Sequence, residues 1–232
     1  MNNNPLVSIC IPTCDMSGRS VEFLTDLFDS IKKQTYNNIQ IVVSDQSDDD
    51  EIEKLCNQFR KKHQDLKYCK DKKGIKSCGS NLNNAMDNAD GEFIKMICQD
   101  DLLYSNQAIQ RMMEQNSDFV ACSCKHFAED KNNLYNPHTP SWHNLMPFGM
   151  NKIGAFSVVL FRKTTLRLDT NLIWLVDCEF YHRLSLECGL PVCIDEHLVN
   201  VRHWNGSVSD SIDQNTLHTK ELKYVKNKMG IK

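Results

Sequence analysis

Two short apolar runs separated by an amphipathic segment constrain the fold of this chain more than any other feature. Residues 7–11 form an apolar run that Pro12 and Thr13 end, and residues 39–43 form a second run that leads into an acidic loop. Between the runs, four apolar residues recur at the spacing of one buried helix face: Leu24, Leu27, Phe28 and Ile31. A strand, a helix and a strand in this order make a βαβ unit, which requires a parallel sheet and a right-handed crossover. The pattern therefore predicts an α/β fold.

A further predicted strand lies in residues 91–101 and stops at two adjacent carboxylates, Asp100 and Asp101. In an open α/β sheet, ligands bind just beyond the carboxyl ends of the strands. An aspartate pair at that place can hold a divalent cation, which usually also takes phosphate oxygens from a substrate. The pattern alone leaves open a second interpretation, in which the pair lies in a solvated turn and caps a helix.

The size and composition of the chain fit one α/β domain. It has 232 residues, 25% of them charged, and a formal net charge of −3, which gives no indication of a nucleic-acid-binding surface. The 11 scattered cysteines predict reduced core thiols rather than a disulfide framework. The polar start predicts no signal peptide, and no apolar run reaches the length of about 18 residues that a membrane span needs. We therefore expect a cytoplasmic protein.

The order of the motifs resembles that of inverting, family 2-type glycosyltransferases of the GT-A fold. The Pro12-Thr13 pair is followed by an acidic loop, an asparagine-rich helix, a Gly-Glu-Phe-Ile strand, an Asp-rich signature and three later motifs: residues 45–48, 81–85, 91–94, 98–101, 153–157, 174–181 and 202–203. The resemblance covers about residues 5–210. It implies a single, Rossmann-like GT-A domain whose central sheet is mostly parallel, with helices on both faces.

The same resemblance divides this domain into two halves and a tail. Residues 1–102 would bind the nucleotide sugar, residues 103–210 would bind the acceptor, and residues 211–232 would form a closing helix or tail. The implied partners are a UDP-, GDP- or dTDP-sugar donor and a glycan, lipid-linked or protein-linked acceptor.

The donor side implied by the resemblance consists of these side chains: Thr13, Asp15, Asp45, Lys76, Asn83, Gln99 and Asp100. Thr13, Asp15 and Asp45 would hold the nucleoside, and Asp45 would accept a hydrogen bond from the base. Lys73 is a second candidate, beside Lys76, for the donor diphosphate. No glycine-rich phosphate loop follows the first strand, so the nucleotide would be held in another way.

The expected cofactor is a divalent ion, Mn²⁺ or Mg²⁺, held by Asp100 with His203 as a further partner. Cys98 stands where the family has the first aspartate of its Asp-x-Asp motif. A neutral thiol is a poor ligand for Mg²⁺, whereas a thiolate suits softer metals. We expect Cys98 to pack at the strand end and Asp100 to supply the carboxylate.

Asp177 is the candidate general base, because the resemblance places an acidic residue at the start of this helix in the acceptor site. An alternative is that Asp177 is only the N-cap of the helix. Glu179 is the second candidate, although two residues further on it would face another side of the helix. Asp101 and Trp142 are further candidates on the acceptor side.

The sequence therefore predicts a metal-assisted glycosyltransferase that moves a sugar from a nucleotide-sugar donor to a hydroxyl group with inversion. Two other classes stay open. A degenerate transferase that only binds a glycan or a nucleotide would explain Cys98. A sugar-nucleotide nucleotidyltransferase would share the α/β layout, but it should carry a glycine-rich basic signature that residues 12–15 lack. The chain is also of a size that occurs as one domain of a bifunctional protein.

Overall fold

All strands of the described structure belong to one sheet. The structure, a computed structural model, describes residues 4–61, 65–72, 76–207 and 213–230. The strands are β1 Val7–Thr13, β2 Ile39–Asp45, β3 Leu66–Lys70, β4 Phe93–Met96, β5 Leu102–Leu103, β6 Phe119–Phe127, β7 Tyr135–His138, β8 Val159–Arg162 and β9 Val192–Arg202. The helices are α1 Ser20–Lys32, α2 Glu51–Arg60, α3 Cys78–Asp87, α4 Ala108–Met113, α5 Val176–Cys188 and α6 Gln214–Lys228.

The order of the strands in the sheet is β3-β2-β1-β4-β8-β6-β9-β5, and β7 pairs with β6. Strands β3, β2, β1 and β4 are mutually parallel, and β6 is parallel to β9. Strand β8 is antiparallel to both β4 and β6 and joins the two parallel sets. The prediction of one α/β domain with a mostly parallel sheet is therefore confirmed. The two halves expected from the sequence share this sheet.

Strand β1 shows why both faces of the sheet are covered. Every residue of Val7–Thr13 is buried, and successive side chains of a strand point to opposite faces. A parallel sheet needs this cover on both sides, because its crossover connections lie on the faces. Helix α3 contacts both β1 and β2, and α1 follows β1 directly in the chain. Among the described residues, no helix is both long and apolar enough to cross a lipid bilayer.

Strand β7 carries no clear sequence signal. Residues 126–152 are expected to be a loop, but Tyr135–His138 within them forms β7. This short strand contains Pro137 and has no buried residue, as is usual for an edge strand, where a residue without an N–H is tolerated. Strand β2 continues past the predicted apolar run to Asp45. The polar side chain of Asp45 is buried, and hydrogen bonds satisfy its oxygens.

Gly91 fixes the approach of the chain to β1 just before β4. Its N–H donates to Ser8 Oγ at 2.8 Å. A Cβ atom at this position would lie 2.6 Å from the backbone nitrogen of Ser8 and 2.8 Å from the carbonyl oxygen of Leu6. Both contacts are with backbone atoms of a central strand, so the neighbours cannot move aside without disturbing the sheet.

We therefore expect Gly91→Ala to destabilise the protein by about 1–3 kcal/mol, the usual cost of overpacking a core. Gly79→Ala is the matched control. A Cβ atom at Gly79 would meet Val176 at 3.5 Å and Leu168 at 3.6 Å, which are ordinary contacts. Denaturant unfolding of both variants measures the difference. Equal stability of the two variants would contradict the proposed close contact between Gly91 and β1.

Candidate active site

The carboxyl ends of β1, β2 and β4 meet at one edge of the sheet. Thr13 pairs with Asp45 across β1 and β2, and Cys10 pairs with Met96 across β1 and β4. Gln99, which follows β4, accepts a hydrogen bond from the N–H of Cys14 at 2.8 Å and donates to its carbonyl oxygen at 3.0 Å. The buried Gln99 side chain thus fixes the turn after β4 to the turn after β1, and both of its polar atoms are engaged.

Asp45 lies fully buried in a set of hydrogen-bond donors. It accepts from Lys70 Nζ at 2.9 Å, from Tyr68 Oη at 2.8 Å and from the N–H of Ser47 at 2.8 Å. Burial by itself would raise the pKa of Asp45, but the hydrogen bonds from Lys70 and its neighbours outweigh burial and hold the pKa below its ordinary value. Asp45 is therefore an ionised anchor whose acceptor capacity is largely used within the protein.

Helix α3 points two asparagines at these strand ends. Asn81 donates to the carbonyl oxygen of Thr13 at 2.7 Å, and Asn84 donates to Ser44 Oγ at 2.8 Å. The Oδ1 atom of Asn81 is buried and has no hydrogen-bond partner among the described residues. Such an atom is costly to leave unpaired, so it is a candidate contact for a bound ligand. Asn83, the residue chosen from the sequence, instead binds the backbone of Leu168 through both of its polar atoms, at 2.8 Å and 2.7 Å.

Asp15 lies exposed in an unusual turn that follows β1. Met16, Ser17 and Gly18 have φ values of 51°, 55° and 81°, and both oxygens of Asp15 lie 3.2 Å from the N–H of Gly18. Non-glycine residues at positive φ are strained, and such strain is concentrated at ligand sites. Lys76, which precedes α3, pairs with Asp48 and is largely exposed. Lys73 lies outside the described residues.

Beyond β4, three potential metal ligands come together. One ligand atom each of Cys98, Asp100 and Asp101 lies within 4.8 Å of the others. Asp100 accepts a hydrogen bond from Trp204 Nε1 at 3.0 Å, and Asp101 accepts one from the N–H of Arg202 at 2.8 Å. The sequence therefore located the acidic turn, but the structure also brings the Cys98 sulfur up to the carboxylates.

The charges of this turn are held in a partly dry environment. Burial raises the pKa of Asp100, and burial together with the nearby Asp100 raises the pKa of Asp101 to about 8. Lys95 lies fully buried on β4, where its ammonium group donates to the carbonyl oxygens of Ser157 and Val159. Burial lowers the pKa of Lys95 to about 8. Two close carboxylates disfavour each other's ionisation, and a bound cation would relieve that repulsion.

His203 is not part of this group of potential ligands. Its side chain is exposed, and its backbone N–H donates to the carbonyl oxygen of Phe127 at 2.8 Å. The neighbouring Trp204, which the sequence did not indicate, donates to the Asp100 carboxylate, and Arg202 Nε donates to the carbonyl oxygen of Asp100 at 2.9 Å. The sequence offered only one indication of this role, which is that Trp204 lies next to His203. No sequence pattern marks the acceptor of an indole N–H.

Asp177 lies in the first turn of α5. Leu175 occupies the N-cap position and makes no side-chain cap, so Asp177 is not the N-cap. Its half-buried carboxylate accepts from Asn151 Nδ2 at 2.6 Å and from the N–H of Cys178 at 2.6 Å. Burial raises the pKa of Asp177 to about 6, and these hydrogen bonds limit the rise. A carboxylate with this pKa is suited to accept a proton near neutral pH.

A single segment, residues 151–157, connects Asp177 with the acidic turn. Asn151 at its start contacts Asp177, and Ser157 at its end accepts a hydrogen bond from the N–H of Cys98 at 2.9 Å. In addition, Tyr181 lies within electrostatic range of both Asp177 and Cys98. Residues 151–157 therefore link the candidate base to the turn that carries the potential metal ligands.

The other acceptor-side candidates are placed differently. Glu179 is fully buried and pairs with Arg183 at 2.6 Å and with Lys228 at 2.8 Å, so its oxygens are engaged away from Asp177. Trp142 is half-buried against the core. His143 is half-buried and accepts a hydrogen bond from the N–H of Leu145 at 3.1 Å. An acceptor contact by Trp142 stays a prediction.

The comparison with known proteins agrees with this geometry. The model of the family described as "Glycosyl transferase family 2" matches residues 8–180, so the chain belongs to this family. The predicted membership of family 2 is thereby confirmed, and with it the prediction of a glycosyltransferase.

Relatives of the chain are also named as glycosyltransferases. The GalNAc(5)-diNAcBac-PP-undecaprenol beta-1,3-glucosyltransferase of Campylobacter jejuni is 27% identical over 130 residues, which are 56% of this chain and 41% of that protein. The glycosyltransferase GlyG of Streptococcus pneumoniae is 25% identical over 134 residues, 56% of this chain and 42% of GlyG. The matched region thus spans 41–42% of the length of these relatives.

Solved structures share the fold. TarS 1-349 of S. aureus in complex with UDP-GlcNAc matches with a TM-score of 0.71 at 15% identity. The match covers 95% of this chain and 66% of the TarS chain. The mannosyltransferase PcManGT from Pyrobaculum calidifontis, in complex with GDP-Man and Mn²⁺, has a TM-score of 0.63 at 13% identity and covers 96% of this chain and 65% of its own. The predicted GT-A fold is confirmed by these likenesses.

Proposed function

We propose that this chain transfers a sugar from a nucleotide-sugar donor to a hydroxyl acceptor with inversion at the anomeric carbon. The observation that carries the proposal is Asp177, a half-buried carboxylate with a pKa of about 6, whose hydrogen-bond partner Asn151 begins the segment that reaches the acidic turn after β4. Inversion needs a base on the side of the sugar opposite the leaving group. In this proposal Asp177 lies on that side of the sugar, and the acidic turn lies on the side of the leaving diphosphate.

The donor would lie across the ends of β1 and β2. In this proposal Thr13, Asp15 and Asp45 surround the nucleoside. The buried Oδ1 of Asn81, which has no partner in the described part of the chain, offers an acceptor beside Thr13. Gln99 and Asn83 support the pocket through their backbone contacts rather than by facing the donor. The fold neighbours solved with UDP-GlcNAc and with GDP-Man support a nucleotide sugar as the ligand class. Lys76 would contact the diphosphate only after its ion pair with Asp48 opens.

The residues of the acidic turn fit a divalent cation. Asp100, Asp101 and Cys98 offer two carboxylates and one sulfur within 4.8 Å of one another. When bound there, the cation would stabilise the negative charge that develops on the leaving diphosphate. Sulfur is a poorer match than oxygen for Mg²⁺, and the fold neighbour PcManGT was solved with Mn²⁺, so we propose Mn²⁺ ahead of Mg²⁺. His203 remains a candidate for a further ligand.

In the proposed reaction, Asp177 takes the proton of the acceptor hydroxyl group. The acceptor oxygen forms a bond to the anomeric carbon on one face as the bond from that carbon to the diphosphate oxygen breaks on the other. The hydrogen bond from Asn151 holds the Asp177 carboxylate in place. The proton ends on Asp177 and is passed to solvent after the products leave.

The first test of this proposal removes the proton acceptor. We expect Asp177→Asn to lower the transfer rate at least about a hundredfold, the lower range of a positioned general base, while donor affinity is unchanged. In the unmodified protein, the rate should rise with pH through about 6 and then level off, because the base must be deprotonated and its pKa is about 6. Release of nucleoside diphosphate from UDP-GlcNAc and GDP-Man measures both effects.

Asp29→Asn is the matched control for this test. It makes the same chemical change in an exposed ion pair with Lys32 on α1, and such pairs contribute little. Transfer by Asp177→Asn at the rate of this control would contradict the assignment of the base. Donor binding without transfer by the unmodified protein would favour a degenerate, binding-only transferase.

The second test concerns the cation. We expect Asp100→Asn to lower nucleotide affinity in the presence of Mn²⁺ at least about tenfold, since the loss of even a supporting group at a metal site costs this much. The fold should persist, because an amide oxygen can still accept from Trp204. Titration calorimetry of UDP and GDP with Mn²⁺, with Mg²⁺ and without metal measures the change.

Cys98→Asp provides the complementary variant in the same titration. It restores a full set of oxygen ligands, so the ratio of Mg²⁺-supported to Mn²⁺-supported nucleotide affinity should increase. Cys193→Ser, which changes a half-buried thiol at the start of β9, serves as the control. If nucleotide affinity changes neither with Asp100→Asn nor with the choice of metal, the proposed cation site is refuted.

A further inference from the structure

A buried carboxylate of helix α6 holds the segment that leads into α5. Glu221 is 3% exposed, although it lies on a helix whose other charged residues are mostly at the surface. Its Oε1 atom accepts from the N–H of Ile173 at 2.8 Å. Its Oε2 atom accepts from the N–H of Trp174 at 3.0 Å and from that of Leu175 at 2.8 Å. One side chain thus satisfies three successive backbone amides that are 46 to 48 residues away in the sequence.

This contact fills a need that the local sequence leaves open. Helix α5 begins after Leu175, and an apolar side chain cannot accept a hydrogen bond at an N-cap position. Successive amides in a turn form a concave binding place for an anion, and a negative charge beside a helix N-terminus is favoured by the helix dipole. Glu221 supplies both the acceptor atoms and the charge from another helix. The direction in which α5 leaves this turn is therefore set by α6.

The far end of α6 holds α5 on the other side of Asp177. Lys228 Nζ lies 2.6 Å from Asp169 Oδ2 and 2.8 Å from Glu179 Oε1. Glu179 is on α5, two residues after Asp177, and is fully buried. Tyr224 donates to the same Asp169 oxygen at 2.9 Å. Because α6 binds α5 before and after Asp177, the first turn of α5 cannot shift without breaking one of these contacts.

Helix α6 also contacts the loop that carries the hydrogen-bond partner of Asp177. A Cβ atom on Gly149 would lie 2.6 Å from His218 Nε2 and 3.2 Å from Leu175. Gly149 has a φ of +92° and is thus enclosed between α6 and the start of α5. Asn151, two residues further along, donates to Asp177. The same helix therefore sets the place of the carboxylate and of the amide that orients it.

We infer that α6 positions Asp177 for transfer and that Glu221 is the positioning residue through which it acts. The inference rests on the proposed function of Asp177 as the base. Glu221 does not reach the reacting atoms, since all its described contacts are with the backbone of residues 173–175. It acts by fixing the turn from which the first residues of α5 extend.

The experiment compares Glu221→Gln and Glu221→Ala with Glu187→Gln, which removes the same charge from an exposed position near the end of α5. Glutamine keeps the shape but replaces one acceptor oxygen with an NH₂ group that faces a backbone donor. A small displacement of a catalytic group lowers the rate by up to about a hundredfold. We therefore expect kcat to fall about tenfold for Gln and more for Ala, while the donor KM and nucleotide affinity stay unchanged. An unchanged kcat in both Glu221 variants would overturn the inference.

Hydrogen exchange separates this inference from the proposed function. The amides of residues 173–175 should lose protection in both Glu221 variants and keep it in Asp177→Asn and Glu187→Gln. Transfer by Asp177→Asn at the normal rate would overturn the proposed base, and with it the positioning role, even where the amide protection confirms the Glu221 contact. Loss of protection across the whole sheet, with KM and kcat changed together, would show a general structural role and overturn the inference as well.

Discussion

The parallel pairing of β1 between β2 and β4 is the constraint on which the rest of this structure depends. It brings three strand ends to one edge, so that Thr13, Asp45 and the turn after β4 become neighbours although they are far apart in the chain. Every residue of β1 is buried, and a slip of one residue would exchange its two faces. The close approach of Gly91 to Ser8 sets the register from the other end of the strand. The site is therefore a consequence of how the central strands pair.

The carboxylates at this edge fall into two electrostatic classes. Asp45 is paired with several donors, and its pKa is held below the ordinary value, which suits a residue that fixes structure and orients a ligand. Asp100, Asp101 and Asp177 are held with fewer donors, and burial raises their pKa values. Raised pKa values in a cleft mark groups that gain from a proton, a cation or a substrate. This contrast supports a site in which one carboxylate anchors and the others take part in binding or transfer.

The sequence predicted the parts of this site that follow from local patterns. Strand ends at Thr13 and before Asp100 can be read from apolar runs, and Asp177 could be placed by resemblance alone. The sequence could not predict which asparagine of α3 faces the strand ends. Successive residues of a helix are rotated by about 100° about its axis, so a shift of one position changes the face. Asn81 and Asn84 are three residues apart and share a face, whereas Asn83 points toward Leu168.

Long-range contacts were the part that no local pattern could supply. Glu221 contacts the turn before α5, and Trp204 contacts Asp100, only because the chain folds back on itself. A glutamate on an amphipathic helix looks the same in sequence whether it faces solvent or caps another helix. The proximity of Cys98 to the two aspartates also depends on the turn geometry rather than on residue spacing.

The most direct test of the proposed mechanism is the anomeric configuration of the free sugar that forms when water acts as the acceptor. Proton NMR can follow UDP-GlcNAc or GDP-Man with the unmodified protein and Mn²⁺, and can detect the first-formed anomer before it mutarotates. Direct displacement assisted by Asp177 predicts that this anomer has the configuration opposite to that of the donor. A first-formed product with the configuration of the donor would contradict the single-displacement mechanism and the role assigned to Asp177.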